Sequence, residues 1–124
     1  MSTSEIATVL AWHDALNASD LDTLISLSSD DIEIGDAHGA AQGHDALREW
    51  AQRSAATIDV GQIYYHDGVV VVEERLTSKT DPADNSTAAS AFRVVHDNVT
   101  SVFRHEDLAA ALAATELTEE DLDA

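Results

Sequence analysis

Apolar positions follow a helical spacing over the first 27 residues and an alternating, strand-like spacing from residue 57 onward. In 4–18, Ile6, Val9, Leu10, His13 and Leu16 recur at helical intervals, which predicts an amphipathic helix with His13 inside its apolar stripe, Trp12 on the flank and Asp14 turned away. Ser19 or Asp20 is expected to cap a second helix, DLDTLISLSS, which buries Leu21, Leu24, Ile25 and Leu27. The stretch DDIEIGDAHG then switches to period two and, read as a strand, places Ile32, Ile34 and Asp36 on one face. A carboxylate aimed where two isoleucines point is costly to bury. Asp36 is therefore either a working group or a strand-end aspartate initiating the turn that follows.

The small residues AHGAAQG predict a loop, and HDALREWAQRSA a third helix that buries Leu47 and Trp50, leaves Arg48, Glu49 and Arg53 in solvent and starts with a favourable Asp45. TIDVGQIYYHDG and VVVVEERLTS flank Asp67-Gly68, a strong hairpin signal. A polar connection, KTDPADNST, holds the only proline. AASAFRVV and VTSVFRH form a second hairpin about His96-Asp97-Asn98, and a short helix, EDLAAALAA, precedes a tail in which Thr118 and Asp121 fit a capping box. Within VVVVEERL, alternation sends either Glu74 with Val70 and Val72, or Glu73 and Arg75 with Val69 and Val71, to one face. A Glu-Arg ladder is expected on the outer side. Helices first and antiparallel strands later make an α+β class, with one curved sheet wrapping a helix layer and a pocket on its concave side. The chain, 1–124, is expected to form one domain whose remaining sheet face is covered by a second copy.

Charge changes what such a pocket accepts. The chain carries 24 Asp and Glu against 6 Lys and Arg, a formal net charge of −18. Nucleic acid is repelled, and anionic bilayers and substrates are disfavoured unless a local arginine cluster overrides the global field. The excess of Asp over Glu, with Lys79 the only lysine, fits either a salt-rich cytosol or an acidic protein of a high-Arg, low-Lys proteome. There is no cysteine, no basic and apolar leader and no run long enough for a membrane span, so a cytoplasmic location is expected. Six histidines include no pair at i,i+4 spacing, and no metal site is expected.

The run ALNASDLDTLISLSSDDIEIGDAHG, the GHDALREW helix and the AFRVVHDNVTSVFRHEDL strand pair together resemble the NTF2-like superfamily. Its cone-shaped α+β fold is shared by ketosteroid isomerases, SnoaL-like polyketide cyclases, limonene epoxide hydrolases and scytalone dehydratases. The likeness spans almost the whole chain and implies an internal pocket. Against the ketosteroid isomerases, Asp36 matches the aspartate that moves a proton between carbons, Trp12 stands for the tyrosine donor, and Ser90, before AFRV, stands for the protonated acid of the oxyanion hole. With that half changed, a ketosteroid isomerase proper is not implied. Against the epoxide hydrolases, His105 replaces the carboxylate after the arginine, and Arg75 is followed by Leu76 and Thr77, so the water-activating set is absent.

SnoaL-like cyclases need only an acid/base group in an apolar cavity, a demand that Asp36 or His105 meets. The resemblance thus implies Asp36 as general base or ligand-orienting group, His13 assisting, and Trp12, Leu16, Trp50, Ser90 and His105 as ligand contacts. The expected ligand is a small apolar or carbonyl-containing molecule. The chemistry would be isomerisation, cyclisation or dehydration, with no cofactor, in a homodimer. A histidine on an apolar stripe such as His13 is more often a neutral core imidazole bonded to a backbone carbonyl than a pocket group, and tryptophans such as Trp12 and Trp50 are more often core packing than ligand platforms. His66 and His96 are expected in exposed turns, and His38 and His44 at the cavity mouth. The alternative class is a non-catalytic ligand-binding or dimerisation module that keeps the cone and has lost the chemistry.

Overall fold

A computed structural model describes residues 3–36, 39–53, 56–81 and 83–123. His38 and Pro82, and the last two residues of the predicted third helix, lie outside these. Helix α1 (Thr3–Asn17) leads into α2 (Leu21–Ser26), strands β1 (Ser28–Asp36) and β2 (Gly39–Gln42), and α3 (His44–Arg53). Strands β3 (Ala56–His66), β4 (Val69–Ser78), β5 (Asn85–Val95) and β6 (Asn98–His105) follow, then α4 (Leu108–Thr115) and a 3-10 turn (Glu119–Asp121). No helix among the described residues is long and apolar enough to cross a membrane.

The six strands make one sheet in the order β2-β1-β6-β5-β4-β3. Neighbours are antiparallel except β1 and β6, which run parallel, so the sheet is mixed where the sequence predicted an antiparallel one. A parallel pair needs a long crossover, and here α3 and four strands supply it. The AHGAAQG segment also departs from expectation, since Gly39–Gln42 adds an edge strand to β1 instead of looping. Gly and Ala carry little strand propensity, so the pattern gave no sign of it. Backbone fit holds it instead: a Cβ on Gly35 would lie 3.1 Å from Ala40 Cβ and 3.2 Å from the Gly39 carbonyl oxygen.

Both predicted hairpins form. Asp67-Gly68 and His96-Asp97 take positive φ at both turn positions (51° and 86°, 51° and 63°), the geometry that two-residue hairpins require. Asp20 caps α2 by accepting from the Thr23 N–H, and Thr118 with Asp121 closes the capping box.

Helix α1 lies on the concave face. Ile6, Val9, Trp12 and Leu16 pack there against Ile32, Ile34, Phe92 and the Val70–Val72 face of β4. Trp12 is 1% exposed and Leu10 38%, so the two exchange the places that the spacing predicted. At 100° per residue the stripe centres between Val9 and Leu16, and Leu10 falls about 110° away. Glu74 joins Val70 and Val72 on the concave face, while Val71 packs on the convex side. Alternation leaves Glu73 and Arg75 on that convex side, as expected of the ladder. The convex face is not left wholly to a second copy: Ala111 of α4 and Leu117 after it cover Tyr64, Val71 and Ala89.

Candidate functional site

Two polar residues stand on otherwise apolar faces, His13 on α1 and Glu74 on β4, and the fold brings them together. Each is 1% exposed, with His13 Nε2 2.6 Å from Glu74 Oε2. His13 Nδ1 lies 2.9 Å from the Val9 carbonyl oxygen, which can only accept, so Nδ1 carries a proton. A second proton must then sit between Nε2 and Oε2, because two lone pairs do not approach to this distance. The Ser90 hydroxyl donates to Glu74 Oε1 at 2.7 Å, and Arg104 Nε stands 3.5 Å from the same oxygen. Burial alone would push the Glu74 carboxyl up. The His13 hydrogen bond and charge, the Arg104 charge and the Ser90 hydroxyl outweigh it and hold Glu74 below the ordinary glutamate value. The pair is therefore an imidazolium and a carboxylate, walled by Phe92 5.2 Å and Trp12 5.8 Å from the His13 ring.

Beside this centre is a cleft of about 350 Å³ lined by Asp36, Glu49, Trp50 and Arg53, with Ile34 and glycines and alanines of β1, β2 and α3 as its remaining walls. Asp36 ends β1 on the Ile32–Ile34 face, as the alternation predicted, and is half-buried. Trp50 links cleft and centre. Its ring lies 5.8 Å from Trp12, and the guanidinium carbon of Arg104 lies 5.4 Å from its centroid.

Of the residues named from the sequence, Asp36 and Trp50 share the cleft, while His13 and Ser90 belong to the buried centre. An Asp36–His13 pair does not form, since both His13 nitrogens are engaged by Val9 and Glu74. Trp12 is not positioned as a donor to a ligand: its indole N–H donates to Ser28 Oγ at 3.0 Å, and that hydroxyl donates to the Leu24 carbonyl. Leu16 lies apart, at a separate depression with Leu21 and Ala51. His105 does not face the cone. It pairs with Ala89, which belongs to the convex cluster, and its ring lies 4.8 Å from that of Phe103, tilted by 47°; desolvation lowers its imidazole pKa. His44 binds the Ser28 carbonyl with Nε2 at 3.1 Å. His66 and His96 are exposed, as expected.

Glu74 and Arg104 are the functional candidates that the sequence reading did not select. A signal existed: a histidine on an apolar helix stripe and a glutamate continuing a Val-x-Val face each need a buried partner of opposite sign. Among the described residues no group of three His, Asp or Glu could hold a metal ion.

Comparison with known proteins agrees with this fold. No curated protein matches the sequence. Solved structures do, at identities that show the fold alone. An NTF2-like protein of unknown function from Cytophaga hutchinsonii superposes with a TM-score of 0.74 at 12% identity, over 87% of this chain and 94% of that one. A candidate ketosteroid isomerase from Kribbella flavida gives 0.74 at 15%, over 82% and 76%. A hypothetical protein with a ketosteroid isomerase-like fold from Catenulispora acidiphila, in complex with trimethylamine, gives 0.69 at 20%, over 91% and 95%. The model of one family, the SnoaL-like domain, matches residues 9–112. This chain belongs to the SnoaL-like domain family and has the NTF2-like fold.

Proposed function

We propose that this SnoaL-like chain, acting as one domain, binds a small, largely apolar molecule in the cleft between β1, β2 and α3 and moves a proton on it with Asp36. The observation that carries the reading is a half-buried carboxylate on the Ile32–Ile34 face that opens onto a cleft walled by Trp50. An apolar wall with few convergent polar groups is what a small-molecule site requires. A carboxylate there serves as acceptor and then donor in cofactor-free isomerisation, cyclisation or dehydration. The buried His13–Glu74 pair supports this site structurally, fixing α1 against β4. That the related Catenulispora protein was captured with trimethylamine is consistent with a ligand-binding cone. A second copy on the convex face, where Phe103 stands 40% exposed, completes the reading as a homodimer, and light scattering tests it.

The experiment is hydrogen–deuterium exchange at the α-carbon of a panel of enolisable ketones in D2O, followed by proton NMR with the parent and Asp36→Asn. Exchange by the parent and its loss in Asp36→Asn are expected. Equal exchange by both removes Asp36 from the chemistry. A non-catalytic binding module is the second reading, favoured by one specific observation: the Trp12 N–H and Ser90 O–H are both spent inside the protein. Ligand uptake in native mass spectrometry, with no exchange on any ketone, supports that alternative.

A further inference from the structure

The convex face carries a groove of about 430 Å³ that shares no lining residue with the Asp36 cleft. Alternation along neighbouring strands builds its floor in rows. Arg93 of β5 pairs with Ser101 of β6, Ala91 with Phe103, and Ala89 with His105. Each row lies two residues, or about 7 Å, from the next. Helix α4 packs over the adjoining Tyr64, Val71 and Ala89, contributes Ala114 and Thr115 to the groove, and leaves Phe103 40% exposed.

The charge of this lining is the reverse of the chain's. The protein has 24 Asp and Glu and only 6 Lys and Arg, yet no carboxylate lines the groove, while Arg93 and His105 both do. Among the described residues the Arg93 side chain has no ion pair or hydrogen bond, and the Ser101 hydroxyl and the His105 ring have no hydrogen-bond partner in the protein. Thr115 differs, because its hydroxyl is spent on the Ala111 and Leu112 carbonyls. Burial lowers the His105 pKa, so near pH 7 the ring is neutral and offers one N–H and one lone pair. A cation and a hydroxyl in one row, an aromatic ring in the next and a neutral imidazole in the third make a site with two polar ends and an apolar middle.

We propose that this groove binds a flat aromatic monocarboxylate that carries a hydroxyl at its far end. The carboxylate takes the Arg93 fork and the Ser101 hydroxyl, the ring system lies over Ala91 against Phe103, and the far hydroxyl bonds His105. One negative charge matches one guanidinium, whereas a second would meet the field of a chain of net −18 with nothing to offset it. This site goes beyond the Asp36 reading and does not depend on it.

The test titrates the full-length protein with 6-hydroxy-2-naphthoate, followed by its fluorescence and by backbone amide shifts. Shifts centred on Ala91, Ser101, Phe103 and Ala114 are expected. Arg93→Gln should weaken binding about tenfold or more, because a charge-assisted pair is lost, and Arg93 is exposed enough for Tm to stay within about 1 °C. His105→Phe should weaken 6-hydroxy-2-naphthoate and leave 2-naphthoate, which lacks the far hydroxyl, unchanged.

Full affinity in Arg93→Gln, or amide shifts at Gly35 and Trp50 instead, would overturn the proposal. A parent protein that takes up no naphthoate at millimolar concentration would overturn it too, and if sedimentation then shows a dimer that Phe103→Asp splits, a second copy is the occupant of this groove. An equal loss of both naphthoates in His105→Phe would refute the role of His105 and the far hydroxyl.

Discussion

Glu74→Gln is the most informative single change in this protein. It keeps the side-chain shape and a carbonyl acceptor for Ser90, but replaces the charge that balances His13 and Arg104. Removing one partner of a buried ion pair costs about 3–5 kcal/mol, since the remaining charge stays in a low-dielectric setting. Gln retains part of the hydrogen bonding, which puts the expected loss near 3 kcal/mol, or roughly 10 °C in Tm for a chain of this size. Thermal melts followed by circular dichroism, with urea titration as a second measure, read it directly.

The pH dependence has a definite sign. Glu74 is held below its unfolded value, so its stabilising contribution is complete above the ordinary glutamate range and disappears as pH falls through the lowered folded value. The gap between parent and Glu74→Gln should therefore be widest near neutrality and narrow in acid. His13→Phe should show a loss of similar size, with a coupling energy of about 2 kcal/mol in the double-mutant cycle. A Glu74→Gln protein that melts within about 1 °C of the parent near pH 7 would refute the charged, buried pair.

Three further outcomes follow from named contacts. Asn17 holds both backbone groups of Ile58 at 2.8 Å, so Asn17→Ala should cost about 2 kcal/mol in urea unfolding by leaving them unmatched; an unchanged midpoint would remove this bridge between α1 and β3. His96 sits at φ 51° in the second hairpin with its side chain exposed, and His96→Gly should stabilise by roughly 0.5 kcal/mol because glycine takes that conformation without steric cost; a lower Tm refutes the strain. Raising KCl from about 0.1 to about 1 M shortens the Debye length from about 10 to about 3 Å. With a net charge of −18, Tm should rise by several degrees, and a flat response would show that the carboxylates are spaced too widely to repel one another.

Period carried most of the fold from sequence. Alternation set Asp36 on the Ile32–Ile34 face, Asp67-Gly68 closed a hairpin, and Asp20 capped α2, each by a rule local to a few residues. Two features escaped for the same reason, that their cause is not local. Gly39–Gln42 is a strand because β1 offers a free edge and Gly35 lets Ala40 approach, and nothing within GAAQ announces it. The parallel pairing of β1 with β6 depends on where the intervening chain returns. Site residues carried over by resemblance fared according to whether strand parity was checked. Arg104 faces the cone and His105, one residue on, faces away, which the alternation of VFRH already contained.

The two inward carboxylates divide the concave face between them. Glu74 is enclosed on β4 and saturated by His13 and Ser90, so its proton traffic is closed to any ligand. Asp36, at the end of β1, opens onto a cleft that Glu74 does not line. Arg104 is the side chain placed between the two, facing Glu74 at 3.5 Å while it stacks on the wall of the Asp36 cleft. Environments that separate two carboxyl groups in this way are how one fold assigns them different work. Glu74 holds a cation in position, and Asp36 lines the cleft. The division also explains why a strongly acidic protein keeps a buried ion pair that a few leucines could replace at no loss of stability: Glu74 is the carboxylate that faces Arg104, at 3.5 Å, and holds it beside Trp50.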